Sequence, residues 1–337
     1  MPADDALDAA LPQIADGFGL GETRSWKFLA QGLMNRNWRV ETDTGSYAIK
    51  QIMDAPLAKV RRNLAVLPGL AASGLPIHPA LTTADGERVI EVDGEGYCVL
   101  PWTEGSHGQG IDLDTGAVRD LGALLGRLHV ALRDHEPAGM PDAPPRAKVV
   151  QPAAAVDAAD ALRAKVTAGT GTEFEKRATQ ALEQRKALLS AHEGLRPRTE
   201  VPAGPYGWTH GDFQYRNLLR RDDRVVAILD WDRLGVRPYA EEVARTAQVQ
   251  FGVGGRFDLE RVAAFVAGYR TVIDLPEADL ADGLTRLWWK RMTDFWQLEF
   301  HLDRPADGFD AMFLADEELL HWWTGRLDEV RAAYAAR

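Results

Sequence analysis

The chain contains 337 residues, 45% of them hydrophobic and 26% charged, which is typical of a globular protein with one large or two smaller domains. Lys and Arg number 39 against 50 Asp and Glu, so the formal net charge of -11 disfavours nucleic-acid and anionic membrane partners. The single cysteine, Cys98, excludes an internal disulfide and a cysteine-based zinc site. Since neither a signal-peptide pattern nor a membrane-spanning run is found, we expect a cytoplasmic protein.

The first hundred residues are predicted to form mostly strands. Residues 37–41 and 46–53 alternate apolar and polar side chains, and Asp43-Thr44-Gly45 between them predicts a hairpin turn. Residues 57–72 are predicted to form one helix. A second hairpin is predicted over residues 88–100.

The rest of the chain is predicted to be mainly helical. Leucines at helical spacing surround His129, and further helices are predicted over residues 153–167 and 173–193. We therefore divide the chain into an amino-terminal lobe, residues 1–101, and a helical lobe, residues 102–337.

Aromatic side chains are dense near the carboxy terminus. Trp289, Trp296 and Phe300 are predicted to lie on one helical face. Core packing explains them best, and stacking on a bound molecule is the alternative.

One segment carries polar residues in a pattern that indicates chemistry. Asp212 and Asn217 lie five residues apart in a loop before an apolar strand, and a second apolar strand ends at Asp230 and Asp232. Two such strands in a hairpin would bring these side chains together. Carboxylate and amide oxygens are ligands that Mg²⁺ prefers when phosphates complete its shell, so the pattern favours phosphoryl transfer.

The alternative for this segment is a loop with side-chain caps and solvated aspartates. The four fixed positions of His-Gly-Asp-x4-Asn, together with Asp-x-Asp after an apolar strand, favour the functional interpretation. Other signatures of nucleotide, zinc and hydrolase sites are missing. The glycines of residues 17–21 do not have the spacing of a dinucleotide-binding loop.

The segment resembles the catalytic loop and metal-binding strand of the aminoglycoside phosphotransferase family, the small-molecule branch of the protein-kinase-like fold. The resemblance extends over most of the chain. Residues 28–35 are similar to that family's nucleotide-covering loop, residues 46–50 to its strand with a phosphate-binding lysine, and residues 99–102 to its inter-lobe linker. It implies an α+β, two-lobed architecture, with an antiparallel sheet in the small amino-terminal lobe and a larger, mainly helical carboxy-terminal lobe.

The resemblance also implies roles for individual residues. Asp212 would be the catalytic aspartate that orients the acceptor hydroxyl, and His210 would brace its loop. Asn217 and Asp230 would hold Mg²⁺, with Asp232 as an outer or second-metal ligand. The nucleotide-binding residues implied are Lys50, Gly32, Asn35, Asn217 and, mainly through their backbone, Val99, Leu100 and Trp102.

The implied activity is transfer of a phosphoryl group from ATP or GTP to a hydroxyl of a small, amine-bearing molecule. The acidic charge and the resemblance together favour a cationic acceptor such as an antibiotic, which would make the chain a resistance enzyme. Metabolic kinases for sugars, homoserine, choline-like alcohols or methylthioribose stay open, as does a non-catalytic nucleotide-binding relative. A protein kinase is disfavoured because residues 233–238 leave no room for a long activation segment.

The chain departs from the family at one position. The family pairs its lysine with a glutamate on the first helix, and Asn63 stands there instead. An uncharged amide would hold Lys50 less strongly than a carboxylate. Either Asp54 replaces the glutamate, or the nucleotide itself orients Lys50.

Overall fold

The computed structural model describes residues 5–30, 35–169, 171–303 and 309–337, with the backbone alone for residues 5 and 6. The α-helices within these ranges are α1 (Asp5–Phe18), α2 (Leu57–Ala65), α3 (Leu67–Ala72), α4 (Thr115–Asp134), α5 (Pro152–Thr167), α6 (Glu173–His192), α7 (Tyr239–Phe251), α8 (Leu259–Arg270), α9 (Glu277–Thr293), α10 (Trp296–Asp303), α11 (Asp310–Thr324) and α12 (Leu327–Tyr334). The strands are β1 (Thr23–Phe28), β2 (Arg36–Thr42), β3 (Ser46–Ile52), β4 (Ile90–Val92), β5 (Glu95–Pro101), β6 (Tyr206–Thr209), β7 (Leu218–Arg221), β8 (Arg224–Ile228), β9 (Gly235–Pro238), β10 (Gly252–Val253) and β11 (Arg256–Phe257). None of the helices described here has both the length and the apolar character needed to cross a membrane.

The chain divides into two compact units, each built from several segments. The first unit comprises residues 1–108, 127–140 and 208–235, and the second comprises the remaining residues. The lobe boundary at residue 101 stays a prediction from the sequence.

The first unit contains a five-stranded antiparallel sheet with the strand order β1-β2-β3-β5-β4. Both predicted hairpins are present in it. Helix α1, which the sequence analysis missed, buries Leu11 and Ile14 in one core cluster with Trp38, Ile49 and Val99 of the sheet. This face of the sheet is therefore apolar and closed.

The opposite face of the same sheet carries polar side chains. Side chains alternate between the two faces of a strand, so Lys50 points away from the core that holds its neighbour Ile49. Asn37 on β2 and Cys98 on β5 stand directly across from Lys50 in the ladder. The register thus sets Lys50 in the middle of the polar face.

The predicted helix over residues 57–72 is interrupted. Helix α2 ends at Ala65, and α3 begins at Leu67 with Pro68 in its first turn. Proline has no N–H to donate to the preceding turn, and it is tolerated at a helix start. Pro68 thus separates two short helices, and α2 carries the buried Asn63.

Strands β7 and β8 form the predicted hairpin that follows the polar loop. Leu218 pairs with Ile228, so the segments that precede β7 and follow β8 emerge at the same end. Two residues in these segments have positive φ angles, Gly211 at +80° and Asp230 at +60°. Such a conformation is unusual for an aspartate, so the surrounding contacts must hold Asp230 in place.

The second unit is helical, apart from short strands. Trp289 is almost fully buried, as core packing predicts, whereas Trp296 is 37% exposed and does not fit that prediction. The predicted single face of Trp289, Trp296 and Phe300 is wrong, because α9 ends at Thr293 and α10 begins at Trp296. The carboxylate of Asp294 between them accepts a hydrogen bond from the Trp296 N–H, as capping residues do.

Candidate active site

The polar loop after β6 is braced by His210, which is fully buried. Its Nδ1 accepts a hydrogen bond from the Asp212 N–H at 3.2 Å, and its Nε2 lies 3.0 Å from the Leu229 carbonyl oxygen. Because Nδ1 accepts, the ring proton lies on Nε2 and is donated to Leu229. The bracing role implied for His210 thus has a geometric basis, and one ring joins the loop of Asp212 to the segment of Asp230.

The Asp212 carboxylate is buried and is held by side-chain amides. Its Oδ2 accepts hydrogen bonds from Asn217 Nδ2 at 3.0 Å and from Gln214 Nε2 at 2.9 Å. Asn217 Nδ2 also donates to the Asp212 carbonyl oxygen at 2.9 Å. Hydrogen bonds from neutral donors fix the carboxylate without cancelling its charge.

Gln214 is a residue that the sequence analysis missed. The available signal was its place two residues after Asp212, since loop residues at that separation can bond to each other's side chains and backbone. The turn is closed further by hydrogen bonds from Gln214 N to Asp212 O at 2.9 Å and from Asn217 N to Gln214 O at 2.8 Å.

Lys50 lies between the two aspartates that follow β8. Its Nζ is 2.8 Å from Asp230 Oδ1 and 2.7 Å from Asp232 Oδ2. The side chains of Lys50 and Asp232 are each 14% exposed, while that of Asp230 is 39% exposed. Three predicted residues, 180 and 182 positions apart in the chain, are therefore brought into one cluster.

The charges of this cluster shift its pKa values in opposite directions. Burial alone would lower the pKa of Lys50, but the charges of Asp230 and Asp232 outweigh burial and raise it. Burial alone would raise the pKa of Asp230, but the charge and the hydrogen bond of Lys50 outweigh burial and lower it. Lys50 and Asp230 thus hold each other in their charged forms. Cys98, opposite Lys50 in the ladder, is neutral because burial raises the pKa of its thiol to about 12.

Asn63 is hydrogen-bonded to groups other than Lys50 and supports the aspartate segment. Its side chain is 1% exposed, and Nδ2 donates to the Trp231 carbonyl oxygen at 2.7 Å. Its Oδ1 accepts hydrogen bonds from the Arg62 guanidinium at 2.9 and 3.2 Å. Among the residues that the structure describes, the carboxylates paired with Lys50 are those of Asp230 and Asp232, so neither alternative from the sequence is needed here.

Asn35 lies beside the same cluster. Its Nδ2 donates to Asp232 Oδ2 at 2.9 Å, and its Oδ1 accepts from the Met53 N–H at 3.0 Å. The end of the predicted covering loop is thereby bonded both to the residue that follows β3 and to Asp232. Gly32, the other residue implied in this loop, lies outside the described residues.

The predicted linker residues have part of their backbone already bonded. Val99 O accepts from Leu81 N at 2.8 Å, and Trp102 N donates to Ser46 O at 3.0 Å. Leu100 stands opposite Ala48 in the ladder. Hydrogen-bonded pairs alternate in antiparallel sheets, so the Pro101 carbonyl points away from β3. Within the linker backbone, we therefore expect the Pro101 carbonyl to be the group most available for a hydrogen bond with a nucleobase.

The donor set fits a magnesium ion that arrives with phosphates. Asp230, Asp232 and the amide oxygen of Asn217 are hard oxygen ligands. No group of three or more His, Cys, Asp or Glu side chains that could hold a metal ion occurs among the described residues. Two carboxylates suit Mg²⁺, which usually keeps waters and substrate oxygens in its shell.

These features define a class of protein: a loop aspartate, an amide beside it, a sheet lysine, and two aspartates after a hairpin belong to phosphotransferases of the protein-kinase-like fold. The profile of the phosphotransferase enzyme family, APH, matches residues 25–281, and the chain belongs to that family. The resemblance found in the sequence is thereby confirmed.

Relatives with assigned activities are similar at low identity. The chain is 26% identical to the homoserine kinase of Methylorubrum populi over 82% of this chain and 80% of that protein. It is 23% identical to that of Acidiphilium cryptum, over 88% and 95% of the two chains. With the homoserine kinases of Pseudomonas aeruginosa the match is 28% identical, and it spans only 36% of their length.

Solved structures share the fold. The spectinomycin phosphotransferase in complex with ADP and spectinomycin superposes with a TM-score of 0.64 at 14% identity, covering 97% of both chains. The amicoumacin kinase in complex with AMP-PNP, Ca²⁺ and Ami superposes with a TM-score of 0.61 at 17% identity, covering 93% of this chain and 92% of that one. The predicted α+β, protein-kinase-like fold is confirmed.

Proposed function

We propose that the chain is a small-molecule kinase that transfers the γ-phosphoryl group of ATP or GTP to a hydroxyl group. The observation that carries this proposal is the Asp212 carboxylate, which two amides hold at 2.9 and 3.0 Å on a loop braced to the Asp230 segment. A fixed, charged carboxylate is what orienting a hydroxyl requires. A cytoplasmic location is a further prediction from the sequence.

In the proposed reaction, the acceptor oxygen forms a bond to the γ-phosphorus while the bond from that phosphorus to the β–γ bridging oxygen breaks. Asp212 orients the hydroxyl and takes its proton late in the step, and the nucleoside diphosphate leaves. Lys50 would bind the phosphates from the polar face of the sheet. Mg²⁺, held by Asn217 and Asp230 with Asp232 as an outer or second-metal ligand, would neutralise phosphate charge.

We propose an acceptor that carries an amine besides its hydroxyl. The net charge of -11 favours a cationic group. Homoserine, an amino acid that carries a hydroxyl group as amino alcohols do, is the first candidate, because sequence similarity to homoserine kinases reaches over most of the chain. An amine-bearing antibiotic is the second candidate, and its support is a shared fold with antibiotic kinases at 14% and 17% identity.

The test measures nucleoside diphosphate release with Mg²⁺ and ATP or GTP, against a panel of homoserine, amino alcohols, sugars, nucleosides and amine-bearing antibiotics. Mass spectrometry then identifies the product. We expect turnover with one class of acceptor and a loss of about 10²- to 10⁴-fold in Asp212→Asn, the range for general base catalysis.

The matched control is Asp222→Asn, the same change at an exposed turn position between β7 and β8. This variant should keep wild-type turnover. Nucleotide binding without release under any condition would contradict the kinase proposal and support the non-catalytic alternative.

A further inference from the structure

We infer that Gln214 is the residue that keeps the Asp212 carboxylate oriented independently of the metal site. The inference rests on the proposed function, because it assigns a positioning role within the same reaction. Its starting point is the hydrogen bond from Gln214 Nε2 to Asp212 Oδ2 at 2.9 Å.

The backbone aims the Gln214 side chain at Asp212. Phe213 between them is fully buried and its ring meets that of His210 edge-on, with 6.1 Å between centroids. The Gln214 N–H donates to the Asp212 carbonyl oxygen at 2.9 Å, which closes a three-residue turn around Phe213. The buried Phe213 anchors this turn, and the turn brings the Gln214 side chain back to the Asp212 carboxylate.

The two side-chain amides that hold Asp212 differ in the other interactions that they make. Asn217 divides its Nδ2 between the carboxylate and the backbone carbonyl of Asp212, and its oxygen is a proposed ligand of Mg²⁺. Any adjustment of Asn217 toward a metal would therefore move one of the two donors. Gln214 has no part in the proposed metal shell, so its hydrogen bond to Oδ2 can persist throughout the reaction.

Two substitutions of matched size separate hydrogen bonding from packing. Gln214→Met keeps the length of the side chain but removes the donor. Gln214→Glu keeps the shape and places a second carboxylate against Asp212, which like-charge repulsion disfavours. A residue that only fills space would tolerate both changes.

The experiment measures kcat and the KM for nucleotide with the acceptor found for the wild-type enzyme. We expect Gln214→Met to lower kcat about tenfold, which is the effect of losing one hydrogen bond to a charged group, with the KM for nucleotide within about twofold. Gln214→Glu should lower kcat further than Gln214→Met. The control is Arg216→Met, at an exposed position in the same turn, and it should match the wild type.

Unfolding experiments test the contact without any need for turnover. A double-mutant cycle with Gln214→Met and Asp212→Ala, which removes the acceptor, should show non-additive effects, with a coupling of about fivefold in the unfolding equilibrium constant. If the wild type turns over and Gln214→Glu equals it, the inference is overturned and the kinase proposal stands. If no acceptor is turned over, the kinase proposal fails, and the cycle decides the inference: coupling supports it and additivity overturns it.

Discussion

Asp212 and the Asp230–Asp232 pair are two acidic centres of the same unit, and they are held by different chemistry. Two neutral amides hold Asp212. The ammonium group of Lys50 bridges the other two carboxylates. Neutral donors fix geometry and leave the negative charge in place, whereas an ammonium group cancels part of the charge that it orients. Asp212 thus suits the orientation of a hydroxyl group. The Asp230–Asp232 pair already binds one cation, the ammonium group of Lys50, and suits its exchange for another.

Removing Lys50 should have the largest effect, because it leaves two carboxylates facing each other. We expect Lys50→Met to lower kcat/KM by about 10²- to 10³-fold, as loss of a phosphate-binding cation does. The free energy of unfolding at neutral pH should fall by about 1–3 kcal/mol, less than for a fully buried pair because Asp230 is 39% exposed. Urea unfolding measures the second quantity, with exposed Lys27→Met on β1 as the control.

The stability difference between the wild type and Lys50→Met should depend on pH. The lowered pKa of Asp230 means that its contribution is present above the ordinary value of about 4 and is lost as pH falls through the folded value. The raised pKa of Lys50 means that its contribution is lost only in strong alkali, as pH rises through the folded value. If the difference in unfolding free energy between the wild type and Lys50→Met stays unchanged down to about pH 2, charge is not what holds Lys50 and Asp230 together.

Asn63→Asp tests the support of the segment between Asp230 and Asp232. The variant places a hydrogen-bond acceptor where the Trp231 carbonyl needs a donor. The new side chain has the same size and keeps its contact with the Arg62 guanidinium, which pairs with the added charge, but it loses the hydrogen bond of 2.7 Å to Trp231. Leaving a buried carbonyl without its partner should cost about 1–3 kcal/mol of unfolding free energy. The Mg²⁺ concentration for half-maximal activity should also rise, since the segment between the two aspartates loses its support. Gln184→Glu, an amide-to-acid change at an exposed position, is the control.

Asn35→Ala should have the smallest effect. The Asn35 side chain donates one hydrogen bond to Asp232, and Lys50 donates another to the same carboxylate. We expect the KM for nucleotide to rise about two- to tenfold, which corresponds to one ordinary hydrogen bond, with kcat nearly unchanged. Steady-state kinetics at saturating acceptor measure this. A larger fall in kcat than in Lys50→Met would reverse the order proposed for the two contacts.

The sequence predicted the parts of the site that are local. Asp212 and Asn217 lie five positions apart in one turn, and their hydrogen bonds form within that turn. Asp230 and Asp232 follow a two-stranded hairpin whose pairing is also local. Alternation of apolar and polar residues, together with turn chemistry, is enough to place such elements.

Two features of the fold, helix α1 and the break between α2 and α3, were not predicted from the sequence. Helix α1 carries Pro12 in its interior, which removes a backbone hydrogen bond, and it is stable because Leu7, Leu11 and Ile14 are buried beneath the sheet. The interruption between α2 and α3 depends on Pro68, within a run whose apolar pattern continues. For α1 tertiary packing outweighs the local preference, whereas between α2 and α3 the backbone of a single proline outweighs the apolar pattern.

By itself, the sequence determined the family and the identity of the charged groups, because these depend on residue types at fixed short spacings. Only the tertiary structure decided which of them meet. The pairing of Lys50 with Asp230 joins residues 180 positions apart, and the contact of Asn63 with Trp231 joins residues 168 apart. Contacts at such separations depend on how buried faces pack, and no local pattern encodes that geometry.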